Sequence, residues 1–467
     1  MGAPVPEEVE ELRGAIKGRV LLPGQDQDAP AVDEALRVWA VSPANAAQPR
    51  RPSPAVIVQP RGTADVAAAV KWATARGLPL AVKCGGHGGG NPCWVDGGVM
   101  LDLSLMRSVY VDPESRTAVV DGGALACDVD AETAMHGLAA PLGVCSVVGV
   151  GGLALNGGLS LLSRAVGATA DNILEATVAL ADGSVVHATA DSDPELLWAL
   201  KGAGTALGVV TKLKLQLHEV SNFYCGVLAW RDEPGHATYK AVLRFVRDVV
   251  IPNPCIGFNL ARVVDPAIGP LLVSLDTVGA ASWQETQSTH APAIAGLLAA
   301  FPEHYESWAG GHLKAEQLTE ACIDQLVRWT ADEVPPSCHT TLAFVELLGG
   351  RLHDSQAPVG WQGDVQWVVQ AGWTDPAVHE EGSAYAAAAL KALAPFCQAQ
   401  KPYINMVEYS PDQCMDYGQA ALTVRDAANL ERLRRVKQRV DPTNMFRHTP
   451  LAAVLAAEAG GSCNGSN

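Results

Sequence analysis

The sequence of 467 residues has little positive charge: 33 Lys and Arg stand against 50 Asp and Glu, a formal net charge of −17. Nucleic acids and anionic membranes bind basic surfaces, so neither is expected as a partner. No apolar run is long enough to span a bilayer. The N-terminus has no secretory-signal pattern, so we expect a cytoplasmic protein, or a secreted one if the chain is a trimmed mature form.

None of the 11 cysteines forms a C-x-x-C pair, which argues against zinc-finger and dithiol sites. Because the count is odd, at least one thiol lacks a disulfide partner, and we expect mostly free, buried cysteines. There is no internal repeat and no low-complexity tract. With 48% hydrophobic and 18% charged residues, the chain can bury a large core. Its length corresponds to about three domain-sized units.

The first regular pattern is a strand–helix–strand unit. The β-branched run 55–59 predicts a strand, and apolar residues on one face predict a helix from Thr63 that ends at Gly77. A second strand is predicted over 78–82, and it runs directly into the loop KCGGHGGG. The 54 residues before this unit are acidic, then rich in proline and loosely patterned.

Further along, short strands and glycine turns dominate. Residues 173–189 read as a hairpin with Asp182-Gly183 at its turn, and 209–220 alternate as a half-buried strand. From about 221 to 401, predicted strands alternate with helices at 238–250 and 282–300. A final charged amphipathic helix stops at Pro442.

Three glycine clusters stand out, each beside a predicted strand. Glycine lets backbone N–H groups approach a ligand closely and converge on phosphate oxygens, so three clusters suggest a long phosphorylated cofactor in an extended groove. Tight loops that simply need glycine are the alternative. The clusters are Gly85 to Gly90 around His87, Gly149 to Gly158, and Gly202-Ala203-Gly204.

A nicotinamide site is a weaker interpretation of the same glycines. Gly149-Val150-Gly151 begins like G-x-G-x-x-G, but the sixth position is Ala154. The motif needs a helix after the loop, and the segment LALNGGLSLL is broken by two glycines.

Six segments, in order and spacing, resemble the FAD-linked oxidases of the vanillyl-alcohol oxidase fold, specifically the berberine-bridge-enzyme-like branch. The resemblance spans about residues 51–450. The segments are AVKCGGHGGG, GVCSVVGVGGLALNGG, VGATADNILEATVALADG, LWALKGAGTALGVVT, YINMVEYS and VKQRVDPTNMF.

The resemblance implies a role for particular residues. His87 matches the histidine that binds the flavin 8α-methyl, and Cys145 matches the cysteine that binds C6 of the ring in bicovalent members. Val148 matches a gate for oxygen over the flavin. A histidine between glycines is accessible, whereas a free cysteine is often a small buried hydrophobe. Further expected cofactor residues are Gly85, Gly86, Gly88, Gly89, Gly149, Gly151, Gly152, Asp171, Asn172, Val210 and Asn405.

The substrate side departs from the family's pattern. Aligning the strand VQWVVQAGW on Trp373 puts Val368 where many members carry a base. Gln366 and Gln370 share a face with Val368 and can orient a substrate hydroxyl, but neither is a base at neutral pH. A base from elsewhere stays open; the candidates are Tyr403, Tyr409, Glu346 and Glu408.

We therefore expect an α+β fold in three segments. Residues 1–220 form the N-terminal part of a PCMH-type FAD-binding domain, 221–401 an α+β substrate domain with a large antiparallel sheet, and 402–467 a segment that returns to the FAD-binding domain. The expected activity is oxidation of an alcohol, sugar or secondary metabolite by FAD, with O2 reduced to H2O2. A dehydrogenase of the same fold and a flavin-binding protein with a degenerate site are the alternatives. The sequence leaves the oligomeric state open.

Overall fold

The fold is seen in a computed structural model that describes most of the chain. The helix predicted at 282–300 lies outside the described residues. The described residues are 4–38, 53–88, 91–220, 224–253, 256, 259–265, 269–280, 305–338, 340–361, 363–397, 424–449 and 451–456.

The described residues form seventeen strands and twelve α-helices. The strands are β1 Arg19–Leu21, β2 Val56–Gln59, β3 Leu80–Lys83, β4 Val99–Asp102, β5 Val109–Asp112, β6 Thr117–Asp121, β7 Leu138–Ala139, β8 Ile173–Ala179, β9 Val185–Ala188, β10 Val209–Gln216, β11 His218–Glu219, β12 Tyr224–Arg231, β13 Asn259–Asp265, β14 Gly269–Ala280, β15 Tyr305–Leu313, β16 Thr340–Leu347 and β17 Val365–Trp373. The helices are α1 Pro6–Ala15, α2 Ala29–Leu36, α3 Thr63–Ala75, α4 Ala126–Ala134, α5 Val150–Leu155, α6 Ser163–Val166, α7 Pro194–Ala203, α8 Ala237–Phe245, α9 Glu320–Val327, α10 His379–Leu393, α11 Ala427–Val440 and α12 Ala452–Ala456.

The predicted strand–helix–strand unit lies in a four-stranded sheet of order β1-β2-β4-β3. Strands β2, β4 and β3 are parallel, and α3 is the connection between β2 and β3. Gly77 ends α3 with φ +62°, as the sequence predicts. Strand β1 pairs with β2 in antiparallel fashion, so the start of the chain is more ordered than its loose pattern suggests. The short, polar elements α1 and β1 carry too weak a periodicity to be found alone.

A second sheet has the order β5-β6-β10-β8-β9 and is antiparallel throughout. The predicted hairpin is β8–β9, and Gly183 at its turn has φ +81°. Beyond this hairpin, Asp193 caps the start of α7, because its carboxylate accepts the N–H of Leu196 at 3.0 Å.

The third sheet is the large antiparallel sheet expected for the middle of the chain. Its six strands have the order β12-β14-β13-β16-β17-β15. One face packs on α8, α9 and α10: Trp367, Val369 and Trp373 of β17 are buried there, and α10 approaches so closely that a Cβ on Gly382 would lie 2.3 Å from the Trp373 ring. The other face carries the alternate residues of the same strands.

Near the end of the described chain, α11 packs against α7 and joins the core of the second sheet. Leu433, Val436 and Val440 of α11 belong to the same buried cluster as residues of β6, β8 and β10. The Lys437 ammonium is buried there and donates to the Ala206 carbonyl at 2.7 Å and to the Asp441 carboxylate at 2.6 Å. In the described part of the chain, no helix is long and apolar enough to cross a membrane.

Candidate active site

His87 lies on the loop that leaves β3, and a buried lysine anchors the start of that loop. Lys83 Nζ donates to the carbonyls of Glu34 at 3.2 Å and Ala35 at 2.7 Å, which lie in the last turn of α2. Gly86 takes φ +72° to turn the chain towards His87. The histidine is thus held between a parallel strand and a glycine turn, as the motif predicts.

The His87 imidazole is neutral at physiological pH. Burial lowers the pKa of the ring to about 4, because the imidazolium would lose its hydration. A neutral imidazole has a nitrogen lone pair available, which is the form required to bond to an electrophilic carbon.

The loop of His87 lies directly against the loop of Cys145. A Cβ on Gly85 would sit 2.4 Å from Gly149 N and 3.0 Å from Val147 O, so only glycine permits this approach. The Cys145 loop is fixed from its other side, where Ala126 N donates to Val148 O at 3.0 Å. Loops about sixty residues apart in the sequence are therefore neighbours in the fold, as a single cofactor site requires.

Cys145 is a free, half-buried thiol at the start of this second loop. Burial raises its pKa above the ordinary thiol value, and the nearby backbone N–H groups of Val147 and Val148 only partly offset that effect. The thiol is therefore protonated at neutral pH, and a bond through sulfur requires it to lose its proton on the way. Val148, three residues on, is also half-buried.

The glycines around these loops form a cradle of closely packed backbone. A Cβ on Gly151 would lie 2.6 Å from Gly122 O, whereas a Cβ on Gly152 would meet no atom of the described residues within 4 Å. A Cβ on Gly88 would meet only the Pro92 ring, at 3.0 Å. Tight backbone on one side with open space at Gly152 fits a ligand such as FAD, which needs backbone approach over a long path.

Asp171 and Asn172 shape the loop before β8 through their side chains. Asp171 accepts the Ala168 N–H at 2.9 Å and the Ser355 hydroxyl at 2.5 Å. Asn172 donates to the Ala168 carbonyl at 2.9 Å, and its side-chain oxygen is 2.7 Å from His218 Nε2. These two predicted residues thus hold the backbone of the loop in place through hydrogen bonds within the protein.

Val210 has a similar supporting place on β10. Val210 is buried, and its carbonyl oxygen would lie 2.2 Å from a Cβ on Gly122. Strand β10 therefore packs closely against the turn that precedes α4, and α4 in turn contacts the Cys145 loop. A register shift follows between Val210 and Lys212. Sequence analysis names Val210 but not Gly122, whose need for a bare backbone is visible only in three dimensions.

Across the third sheet, polar residues from adjacent strands stand side by side. Gln366 of β17 is paired directly with Glu346 of β16 on one side and with His312 of β15 on the other. We call Glu346, Gln366 and His312 the polar row. Its members point away from the helix-packed face, since their strand neighbours Val345, Val365 and Leu313 belong to the core under the helices.

The polar row lies where the third sheet meets the first part of the chain. Leu348, two residues beyond Glu346, is buried in the core that contains β6, β8 and β10. The His312 ring lies 6.3 Å from that of Trp361, another member of that core. Arg164 ties the same two regions together by donating to the carbonyls of Ile251 at 2.7 Å and Ile256 at 2.8 Å.

Gln366 and Gln370 both face the side of the sheet that the sequence predicts. They are buried, with 1% and 5% of their surface exposed, and Val368 between them is buried too. The row adds two residues to them: Glu346, which the sequence offers only as one of several possible bases, and His312, which it misses. Cross-strand register joins these residues, and no spacing along the chain reveals it.

Glu346 is the carboxyl group of the row. Burial raises its pKa from the ordinary 4.5 to about 7, and carboxyl oxygen Oε2 has no solvent contact. Four further candidates from the sequence, Gly89, Tyr403, Asn405 and Tyr409, lie outside the described residues, as does Glu408.

Two family models match the chain. Residues 54–189 match the FAD binding domain family, and residues 427–450 match the family of berberine and berberine-like proteins. The first match contains both His87 and Cys145, and the second contains α11. FAD is thus the cofactor that the matched domain binds, and the nicotinamide interpretation is not supported.

Similar proteins are FAD-linked oxidases. The chain is 37% identical over 265 residues to (R)-6-hydroxynicotine oxidase of Paenarthrobacter nicotinovorans, which covers 55% of this chain and 56% of that protein. The chain thus spans about half the length of the curated relatives it matches.

Solved structures extend the likeness over nearly the whole chain. The structure of 6-hydroxy-D-nicotine oxidase from Arthrobacter nicotinovorans superposes with a TM-score of 0.76 at 25% identity, over 93% of this chain and 97% of that one. Berberine bridge enzyme from Eschscholzia californica has the same fold, with a TM-score of 0.77 at 17% identity over 95% and 98%. The resemblance and the fold class predicted from the six segments are confirmed.

Proposed function

We propose that this chain, which has the fold and the FAD binding domain of the berberine-bridge-enzyme-like oxidases, is an oxidase that holds FAD through His87 and Cys145. One observation carries the proposal: a neutral imidazole on a glycine loop packs against the loop of a free thiol. We further propose the three segments 1–220, 221–401 and 402–467, which the return of α11 to the core of the second sheet supports.

The two attachment bonds differ in difficulty. The His87 ring is already in its nucleophilic form at neutral pH, whereas the raised pKa of Cys145 leaves its thiol protonated. We therefore expect the bond through His87 to form first, with sulfur following once the ring is held beside it. The thiol is expected to lose its proton only when the electrophilic carbon of the flavin lies close to the sulfur.

Bound FAD accepts a hydride and passes electrons to an acceptor, which we propose is O2. The residues of the chain position the substrate for that transfer. On the substrate side, Gln366 and Gln370 can each donate and accept a hydrogen bond, which suits an alcohol or amine beside the C–H bond to be broken. The half-buried Val148 has a short side chain, which leaves more room over the cofactor than leucine would.

The substrate is proposed as a small alcohol, amine or sugar rather than a polymer or a protein. The hydroxynicotine oxidase relative makes a heterocyclic amine the first compound to test. A hydrocarbon is not expected as a substrate, because it would leave the buried amides of Gln366 and Gln370 without hydrogen-bond partners.

The test begins with the visible spectrum of the purified protein before and after acid precipitation. We expect yellow colour to stay with the precipitate of the wild type and to pass into the supernatant only in a His87→Ala, Cys145→Ala double variant. Each single variant should retain one bond, which peptide mass spectrometry assigns. Cys127→Ala is the matched control, because Cys127 is a free, half-buried thiol that donates from its backbone to Ser146 O.

Activity is then measured under air against 6-hydroxynicotine, benzylic alcohols and oligosaccharides, with peroxide as the readout. Reduction of FAD by one of these compounds, followed by peroxide release, supports the oxidase. Reduction without peroxide points to a dehydrogenase, and bleaching by none of them contradicts the substrate classes named here. Release of all FAD from the wild type by acid contradicts the covalent bonds.

A further inference from the structure

We propose that Glu346 of the polar row is the base that takes the substrate proton, from the strand beside the one on which the resemblance places it. The inference rests on the proposed oxidase function. It assigns a role to a residue that the motifs leave as one candidate among several, and it explains how a site with Val368 at the usual position can act.

Register places Glu346 next to the expected position. Glu346 and Gln366 are directly opposite in the antiparallel pair β16–β17, and such partners have Cβ atoms about 5 Å apart. Val368 is two residues along β17 from Gln366, on the same face. A side chain as long as glutamate can therefore reach the space above Val368 from the neighbouring strand.

The surroundings of Glu346 suit a base. Across β17, Gln366 supplies an amide that can orient a substrate hydroxyl towards the carboxylate, and His312 stands one strand further, roughly 10 Å away at the ordinary strand spacing. Asn259 of β13 occupies the register position on the other side. Gln366 and Asn259 do not titrate, so His312 is the titratable group that faces Glu346 across the described strands.

Burial tunes this carboxyl group to the working range of a base. A pKa raised to about 7 leaves roughly half of the group ionised at neutral pH, and a base of that strength accepts a proton more readily than an ordinary carboxylate. Desolvation by burial is the cause of the raised value, because the charged carboxylate would lose its hydration.

The step balances for an alcohol. The O–H bond breaks and its proton goes to the Glu346 carboxylate, while the C–H bond breaks and its hydrogen leaves with two electrons to bound FAD. The C–O bond becomes a carbonyl. O2 takes the two electrons and two protons to give hydrogen peroxide, and Glu346 returns its proton to water, so the sum is alcohol plus O2 to carbonyl plus peroxide.

The decisive variant is Glu346→Gln in the FAD-loaded protein, because glutamine keeps the size of the side chain and removes its basicity. The first measurement needs no substrate: the absorption spectrum of bound FAD is followed from pH 5 to 9. An ionising carboxylate beside the flavin shifts that spectrum, so we expect a step near pH 7 in the wild type and none in Glu346→Gln.

The second measurement is the anaerobic rate of FAD reduction by whichever compound of the panel reduces the wild type. The rate should rise with pH to a plateau with an apparent pKa near 7. It should fall by roughly 10²- to 10⁴-fold in Glu346→Gln and lose that pH dependence. Glu346→Asp should keep the pH profile at a reduced rate, because its carboxylate is shorter but still basic.

Two controls make the assignment specific. Glu316→Gln removes an exposed carboxylate from the same region and should change neither profile. His312→Asn should leave the step near pH 7 in place; if the step disappears there and survives in Glu346→Gln, the titrating group is His312 and the proposal is wrong. If no compound reduces the wild type, the proposed substrates fail, and the spectral titration alone decides about Glu346: equal spectra in the wild type and Glu346→Gln overturn it.

Discussion

Gly85→Ala tests the contact that brings the His87 loop and the Cys145 loop together. The added Cβ would lie 2.4 Å from Gly149 N, about 1 Å less than an ordinary van der Waals contact. Both neighbours are backbone, so no side chain can rotate away and the loops must separate. Inserting a methyl group into a closely packed structure lowers the free energy of unfolding by roughly 1–3 kcal/mol. That separation moves the His87 loop away from the Cys145 loop.

Two consequences are measurable. We expect Gly85→Ala to bind less FAD, read as the ratio of flavin to protein absorbance, and to carry it mainly through one covalent bond. Thermal unfolding, followed by flavin fluorescence, should shift down by a few degrees at a cost of about 2 kcal/mol.

Gly14→Ala is the matched control for this variant. Gly14 lies in helix α1 with nothing within 4 Å of an added Cβ, so alanine there should stabilise the chain by roughly 0.5–1 kcal/mol. Full FAD content and unchanged unfolding in Gly85→Ala would refute the close approach of the two loops.

Three further predictions concern oxygen access, pH and the end of the chain. Val148→Leu should slow reoxidation of the substrate-reduced protein in stopped-flow experiments without slowing reduction; equal oxygen rates refute the gate. Because Glu346 titrates at about 7 when folded and at its ordinary 4.5 when unfolded, the free energy of unfolding should fall by at most about 3 kcal/mol as the pH rises between those values. Glu346→Gln should remove that part of the slope in denaturant titrations, and an unchanged slope speaks against the buried carboxyl. Lys437→Met should destabilise the protein by about 3–5 kcal/mol, because it leaves the buried Asp441 carboxylate without its cation. A Lys437→Met, Asp441→Asn double variant should recover part of that loss, and no recovery would argue against the pair.

The sequence by itself predicts FAD and the fold class because the segments that carry the resemblance are local motifs. A glycine loop after a strand places His87 whatever the rest of the chain does, and the order of six such segments carries the resemblance. The turns at Gly77 and Gly183 are likewise found at the predicted places, because a positive φ is a local demand that glycine meets best.

The weakly patterned start of the chain is less predictable. Strand β1 has three residues and is held by pairing with β2, and α1 packs through Val9 and Leu12 on the same sheet. Elements this short gain their stability from tertiary contacts rather than from propensity, so the sequence carries little signal for them.

The polar row is decided by tertiary structure. Glu346, Gln366 and His312 are separated by tens of residues, and each is unremarkable on its own strand. They form one row only because β16, β17 and β15 pair in a particular register, and a slip of one residue would turn Glu346 into the helix-packed core. Local sequence therefore determines the glycine loops that carry His87 and Cys145, while strand pairing decides which side chains meet across the sheet and how burial shifts the pKa of the carboxyl group among them.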